Sequence, residues 1–149
     1  MKKILIILSA IICSGLLNAQ APNPVTWSAI YKAINASEGE IIIQAKIEKG
    51  WHTYSQRPTD AGPIPTSFKF KSLSNYQLID KTKEINAHEE FVKAFDAKIY
   101  VFTDKAEFIQ KIKLTGKAGF ILPIMIEFMS CNDMMCLPPK TLELQVKIQ

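Results

Sequence analysis

The chain has 149 residues, 48% of them hydrophobic and 21% charged, and its 18 Lys and Arg against 14 Asp and Glu give a formal charge of +4. That length holds one domain with a real core and leaves no room for a second of ordinary size. The apolar fraction excludes a disordered chain, and a small positive excess scattered among acids argues against a nucleic-acid partner.

The first element reads as an address. Lys2 and Lys3 precede an apolar run over residues 4–17, broken only by Ser9, Ser14 and Gly15. As a helix at ~1.5 Å per residue it would rise about 21 Å, short of the ~30 Å hydrocarbon core of a bilayer. Ala19 and Ala21 offer the small residues a signal peptidase needs. Residues 1–19 are therefore expected to be a signal peptide, cut near Ala19 or Ala21, with 20–149 as a single domain. An uncleaved anchor is the alternative, and Ile11 and Ile12 ahead of Cys13 do not suit a lipoprotein. Cleavage removes Lys2, Lys3 and Cys13, which takes two from the charge of +4 and leaves Cys131 and Cys136 as a pair. An exported chain with one cysteine pair lives where disulfides form and persist.

Strand patterns follow in order. Candidate strands cover residues 25–34, then Ile41, Ile43, Ala45 and Ile47 alternate with polar neighbours, with Ile42 out of phase. Further candidates are residues 51–56, 66–71 and 76–79, a helical turn around 87–93, and a strand over 98–103. Ala106, Phe108, Ile112 and Leu114 share a face interrupted by Gln110, and Leu122, Ile124, Ile126 and Phe128 share another. The last strand alternates Leu142, Leu144, Val146 and Ile148 with Glu143, Gln145 and Lys147. Gly39, Gly50, the 58–65 segment, Gly116, Gly119 and Pro138-Pro139 separate these runs. Seven to nine short strands predict an all-β fold, an antiparallel β-sandwich of immunoglobulin-like type, with a small closed barrel as the alternative.

The segment from Phe128 to Pro139 joins two of the best strands and carries both cysteines. Continuing the alternation past Phe128 puts Cys131 on the face opposite Ile126, on the accessible side or at the sheet's end. Pro138 and Pro139 cannot donate ladder hydrogen bonds, so pairing is expected to resume near Thr141. A disulfide across so short a loop restrains little of the unfolded chain, worth roughly 2 kcal/mol in the chain-entropy model. Such a bond serves either as a local staple in a protein-binding module or as an accessible store of two electrons. A third reading is a soft-metal carrier, in which Cys131, Cys136, Met129, Met134 and Met135 hold Cu(I) with His52 or His88 nearby. Zinc lacks a second Cys or His pair at the usual spacing, and no Gly-rich phosphate loop or G-x-S-x-G elbow is present. Glu89-Glu90 reads as solvated charge rather than an acid–base pair.

The chain from residue 22 onward resembles the DsbD N-terminal domain family. The resemblance runs through Val25-Thr26-Trp27, Gly50-Trp51-His52-Thr53-Tyr54, His88-Glu89-Glu90-Phe91, Ile99-Tyr100 and Cys131…Cys136-Leu137-Pro138-Pro139-Lys140-Thr141, in that order. It implies an immunoglobulin-like fold in the periplasm with Cys131 and Cys136 as a redox-active disulfide and no other cofactor. It further implies electron transfer from a membrane-embedded or thioredoxin-like donor protein to periplasmic disulfide-containing acceptors, by a monomer. In that family the second cysteine exchanges with the partner, which matches Cys136, and the first resolves, which matches Cys131. The resemblance also implies a cap loop within residues 88–96, with His88, Glu89 and Glu90 and either Phe91 or Phe95 as its aromatic. His52 and Tyr54 stand where the family has strand tyrosines, and Pro138 follows the pair as it does there. Asp133, Glu89 and Glu90, if close, would raise the thiol pKa, and Lys140 is the one adjoining cation in sequence. The cysteine spacing is one residue shorter than in familiar members. The family's membrane and thioredoxin-like domains lie outside these residues, so they are expected as separate proteins, unless the domain serves another purpose.

Overall fold

The computed structural model describes residues 22–60 and 62–149; the signal-peptide reading and its cleavage sites lie outside the described residues. Eleven strands run β1 Val25–Ala33, β2 Glu38–Ile47, β3 His52–Tyr54, β4 Ser67–Phe70, β5 Tyr76–Ile85, β6 His88–Val92, β7 Ala97–Thr103, β8 Lys105–Leu114, β9 Phe120–Phe128, β10 Ser130–Cys131 and β11 Lys140–Ile148. They form three antiparallel sheets ordered β1-β2-β8-β5, β10-β3-β7-β6 and β11-β9-β4. The result is the expected immunoglobulin-like sandwich. Its main core is built by the inward-facing residues of the first and third sheets, around Trp27, Phe108, Phe128, Ile41, Ile43, Ile124 and Ile126.

Alternation explains most of this. In β2, Ile41, Ile43, Ala45 and Ile47 are buried while the residues between them are only partly covered or exposed. The out-of-phase Ile42 pairs with Ile30 on β1 and Ile109 on β8, making a short apolar ladder on the outer face. Gln110 sits at an inward position of β8, almost fully buried. It answers an irregularity in β5, whose register shifts between Ile79 and Lys83 and whose Asp80 adopts φ 58°. The Gln110 amide donates to the Ile79 carbonyl at 3.0 Å and to that of Lys111 at 2.8 Å, and its oxygen accepts from Thr82 at 2.8 Å.

Pro123 lies within β9, where a proline removes one ladder donor. Its carbonyl still accepts from the Lys71 N–H at 3.1 Å. The Lys71 carbonyl, opposite the missing N–H, takes its hydrogen bond from the Tyr76 hydroxyl at 2.7 Å instead. Burial pushes the Tyr76 phenol up, which keeps that donor protonated.

Two expectations fail here, for local reasons. Residues 88–92 form strand β6, not a helical turn, because they pair with β7 from His88 opposite Val101 to Val92 opposite Ala97. Just after them, Lys93–Phe95 forms a single 3₁₀ turn closed by Asp96 at φ 49°. Of the two placements expected for Cys131, the accessible side fails, since it is 0% exposed, while its strand β10 does lie at the edge of its sheet. The phase set by β9 ends at Met129, whose carbonyl accepts from the Thr53 hydroxyl at 2.8 Å. The chain then changes sheets, and Ser130 and Cys131 pair with Thr53 and His52 on β3. Pairing of the last strand does resume just past the prolines, at Lys140 opposite Phe128.

Candidate redox site

The second sheet has a small core of its own: Tyr54, Val92, Ile99, Val101 and Cys131, with Phe95, Ala97, Met129 and Cys136 packed against it. β7 serves both cores, since Ile99 and Val101 face this cluster while Phe102 joins the main one. Cys131 is therefore part of a compact apolar cluster, with Cys136 packed against it.

Cys131 and Cys136 are joined by a disulfide, with Cα atoms 4.0 Å apart. The turn between them is built by its own sequence. The Asn132 side-chain oxygen accepts from the Met134 and Met135 N–H groups at 2.9 and 2.8 Å, an Asx-type turn. The Asn132 N–H then donates to the Met135 carbonyl, and the Leu137 N–H to the Ser130 carbonyl, both at 2.9 Å. These backbone and side-chain bonds close the turn alongside the disulfide. The pair is asymmetric: Cys131 is enclosed, and Cys136 is only half-buried.

β6 and the 3₁₀ turn cover this pair from one side. Phe95 packs on the cluster, its ring edge-on to Tyr54 at 6.0 Å between centroids. On its other side stands Gly62, where a Cβ would come within 3.0 Å of the Phe95 ring and the backbone holds φ at 114°. The segment carrying Gly62 is pinned at its base. Glu84 accepts from the Ser55 hydroxyl, the Gln56 N–H and the Arg57 guanidinium, and the Arg57 guanidinium lies 3.7 Å over the Tyr100 ring. Phe91 is outside that cluster and is 53% exposed.

The polar residues divide. His52 is the cross-strand neighbour of Cys131, and its Nε2 lies 3.1 Å from the Tyr54 hydroxyl. Burial lowers the His52 pKa, partly offset by the carboxylates of Glu90 and Asp133. Burial also drives the Tyr54 phenol far up, so it keeps its proton. His52, Glu90, Phe91, Val92, Lys93, Ala94, Asn132 and Asp133 line a cleft of about 20 Å³ between the cap and the cysteine turn. His88 lies 3.5 Å from Glu90, at the outer end of the same group. Glu89 is turned away and meets Lys98 at 3.8 Å.

Pro138 is on the other flank of the turn, in a pocket of about 260 Å³ with Pro22, Pro24, Phe128, Leu137 and Pro139. Lys140 lines that same pocket and donates to Asn23 at 2.7 Å, so Lys93, not Lys140, is the cation beside His52 in the cap cleft. The methionines are not gathered: Met129 packs inward, while Met134 is 89% exposed at the tip of the turn. Among the described residues no group of three or more His, Cys, Asp or Glu is placed to hold a metal. Sequence reasoning overlooked Asn132, whose position directly after a cysteine is itself a turn signal. It also overlooked Val92, Ile99 and Val101 as walls of the site, and Gly62 and Glu84, for which no local signal exists.

The family model described as Thiol:disulfide interchange protein DsbD, N-terminal, matches residues 20–148. Among solved structures the chain is similar to the reduced form of the DsbD N-terminal domain from Neisseria meningitidis. That likeness has 13% identity and a TM-score of 0.52, over 75% of this chain and 85% of that one. It is also similar to the N-terminal periplasmic domain of ScsB from Proteus mirabilis, at 13% identity and a TM-score of 0.53, over 83% of this chain and 45% of that one. The chain thus spans under half the length of the ScsB structure. At such identities the likeness shows the fold alone. No curated protein matches the chain.

Proposed function

The chain belongs to the DsbD N-terminal family, and on that premise we propose that its Cys131–Cys136 pair cycles between disulfide and dithiol to carry reducing equivalents between proteins. The observation that carries this reading is the asymmetry of the disulfide. Cys136 is half-buried beside a turn, and Cys131 is fully buried. Cys136 is the exchange cysteine: its sulfur forms the mixed disulfide with a partner. Cys131 resolves it. The turn is already closed by Asn132, so the bond adds little to the fold and is free to serve chemistry.

The cap segment 88–96 shields the pair, with Phe95 as its aromatic cover. Shielding suits a carrier in an oxidising compartment, because exchange requires in-line approach of a thiolate to a sulfur. The domain works in the periplasm, as the DsbD and ScsB domains' family setting supports. Its donor is a membrane-embedded or thioredoxin-like protein, and its acceptors are periplasmic disulfide proteins. No cofactor beyond the disulfide is needed.

The reduction potential of the pair, measured by equilibration with glutathione or dithiothreitol, tests this. Shuttling pairs lie at about −120 to −270 mV, and structural disulfides below about −300 mV. A value in the upper window with the fold retained on reduction supports the shuttle. A value well below it, or unfolding on reduction, leaves a stapled binding module.

A further inference from the structure

A resolving thiol must lose its proton before it can attack, and Cys131 is enclosed where water does not reach it. A thiol surrounded by apolar side chains holds its proton more tightly than one in water. The acceptor has to come from the protein.

His52 is placed to be that acceptor. It is the direct partner of Cys131 in the β3–β10 ladder. Residues opposite one another in an antiparallel pair project from the same face with Cβ atoms roughly 4.5–5.5 Å apart. Tyr54, two residues along β3, shares that face, packs in the same cluster as Cys131, and holds the imidazole through its hydroxyl. The register thus sets the imidazole on the face that carries Cys131, and the same residue lines the cap cleft.

Resting on the exchange reading above, we infer that His52 is the proton acceptor for Cys131 when that thiol resolves a mixed disulfide at Cys136. In the tautomer whose Nε2–H donates to the Tyr54 oxygen, the Nδ1 lone pair is left to accept. In the step, Nδ1 takes the proton of the Cys131 thiol and the thiolate attacks the Cys136 sulfur. The Cys131–Cys136 bond forms as the bond from Cys136 to the partner sulfur breaks. The partner leaves with the electron pair as a thiolate and receives a proton from the imidazolium or from solvent. The cysteine pair is oxidised by two electrons and the partner disulfide is reduced.

The surroundings suit both charge states. Burial keeps the imidazole neutral before the step. The charged and titratable groups around it are Glu90 from β6, Lys93 from the 3₁₀ turn, Asp133 from the cysteine turn and Tyr54 from its own strand, with His88 behind Glu90. Two of these carboxylates, Glu90 and Asp133, favour the imidazolium once it forms.

The test uses reduced protein, millimolar oxidised glutathione, acid quenching and separation of the reduced, glutathionylated and disulfide forms by mass. His52→Gln keeps a side chain that reaches Tyr54 but cannot take a proton. It is expected still to form the adduct but to resolve it about 10²-fold more slowly at neutral pH, so the adduct accumulates. In the wild type the resolution rate rises with pH and levels off at the titration of His52, read independently from its Cε1 proton by NMR; in His52→Gln it goes on rising. Equal resolution rates in the two proteins, or a wild-type profile with no bend at the His52 titration, overturns the inference. Should His52→Gln fail to fold, the wild-type profile against the NMR titration decides alone. Wild-type protein that never reacts with glutathione overturns the exchange reading itself, a result distinct from fast but His52-independent resolution.

Discussion

Phe95 is the side chain whose removal most directly tests whether the cap controls access to the disulfide. Its ring packs on the cluster holding both cysteines, meets Tyr54 edge-on at 6.0 Å, and is backed by Gly62. Fully burying a Phe is worth about 1.5–3 kcal/mol, and this one is partly buried, so about 1 kcal/mol is lost on truncation. The edge-to-face pair with Tyr54 adds about 0.5–1.5 kcal/mol. Together about 2 kcal/mol favours the closed cap, which at 1.36 kcal/mol per decade is about a 30-fold change in the opening equilibrium. If a reductant reaches the disulfide only through the open cap, Phe95→Ala is reduced by dithiothreitol about 30 times faster than wild type. Alkylation of the released thiols at timed intervals follows the rate. Phe91→Ala is the comparison, because that ring is 53% exposed and outside the cluster although it lines the cap cleft, and it should accelerate reduction far less than Phe95→Ala. A Phe95→Ala rate within twofold of wild type, or an equal acceleration by Phe91→Ala, would refute the assignment.

Three further outcomes are expected. Replacing both cysteines by alanine should cost only about 2 kcal/mol in urea unfolding, since the closed loop is short and Asn132 already holds the turn; a loss of more than twice that would make the bond a principal staple. Gln110→Leu should destabilise by about 1–3 kcal/mol, because it strands the Ile79 and Lys111 carbonyls and the Thr82 hydroxyl at a part-buried bulge; a near-neutral urea midpoint would show that the bulge is satisfied another way. The third concerns pH. The native His52 binds its proton more weakly than the unfolded chain does. Stability is therefore full above the unfolded value near 6.5 and falls as pH drops through it, because only the unfolded state gains the proton there. Urea midpoints of wild type and His52→Gln at pH 7.5 and 5.5 check this, with the variant expected to lose less on acidification.

The outline of the sandwich was legible because alternation is a local property. The inward sets Ile41-Ile43-Ala45-Ile47 and Leu122-Ile124-Ile126-Phe128 could be read without knowing their partners, and all are buried. Even the anomalies pointed somewhere: Gln110 broke its face because a bulge on the neighbouring strand needed an amide, and Ile42 broke phase to join an outer ladder. The reading failed where one strand's phase was extended across a change of sheet. Nothing within residues 122–131 announces that Thr53, far away in sequence, takes the Met129 carbonyl and resets which way Cys131 faces.

The amino-acid sequence by itself determined the all-β class, the pairing of Cys131 with Cys136 as the feature to explain, and the family, since each rests on residue types and spacings along the chain. Only the tertiary structure decided which cysteine is enclosed, that Phe95 rather than Phe91 packs against the cluster holding Cys131, and that His52 pairs with Cys131 while Glu89 meets Lys98. Those facts depend on register and on contacts between distant segments. A shift of one residue in a strand exchanges its two faces, and the chain settles that choice only when the strands meet.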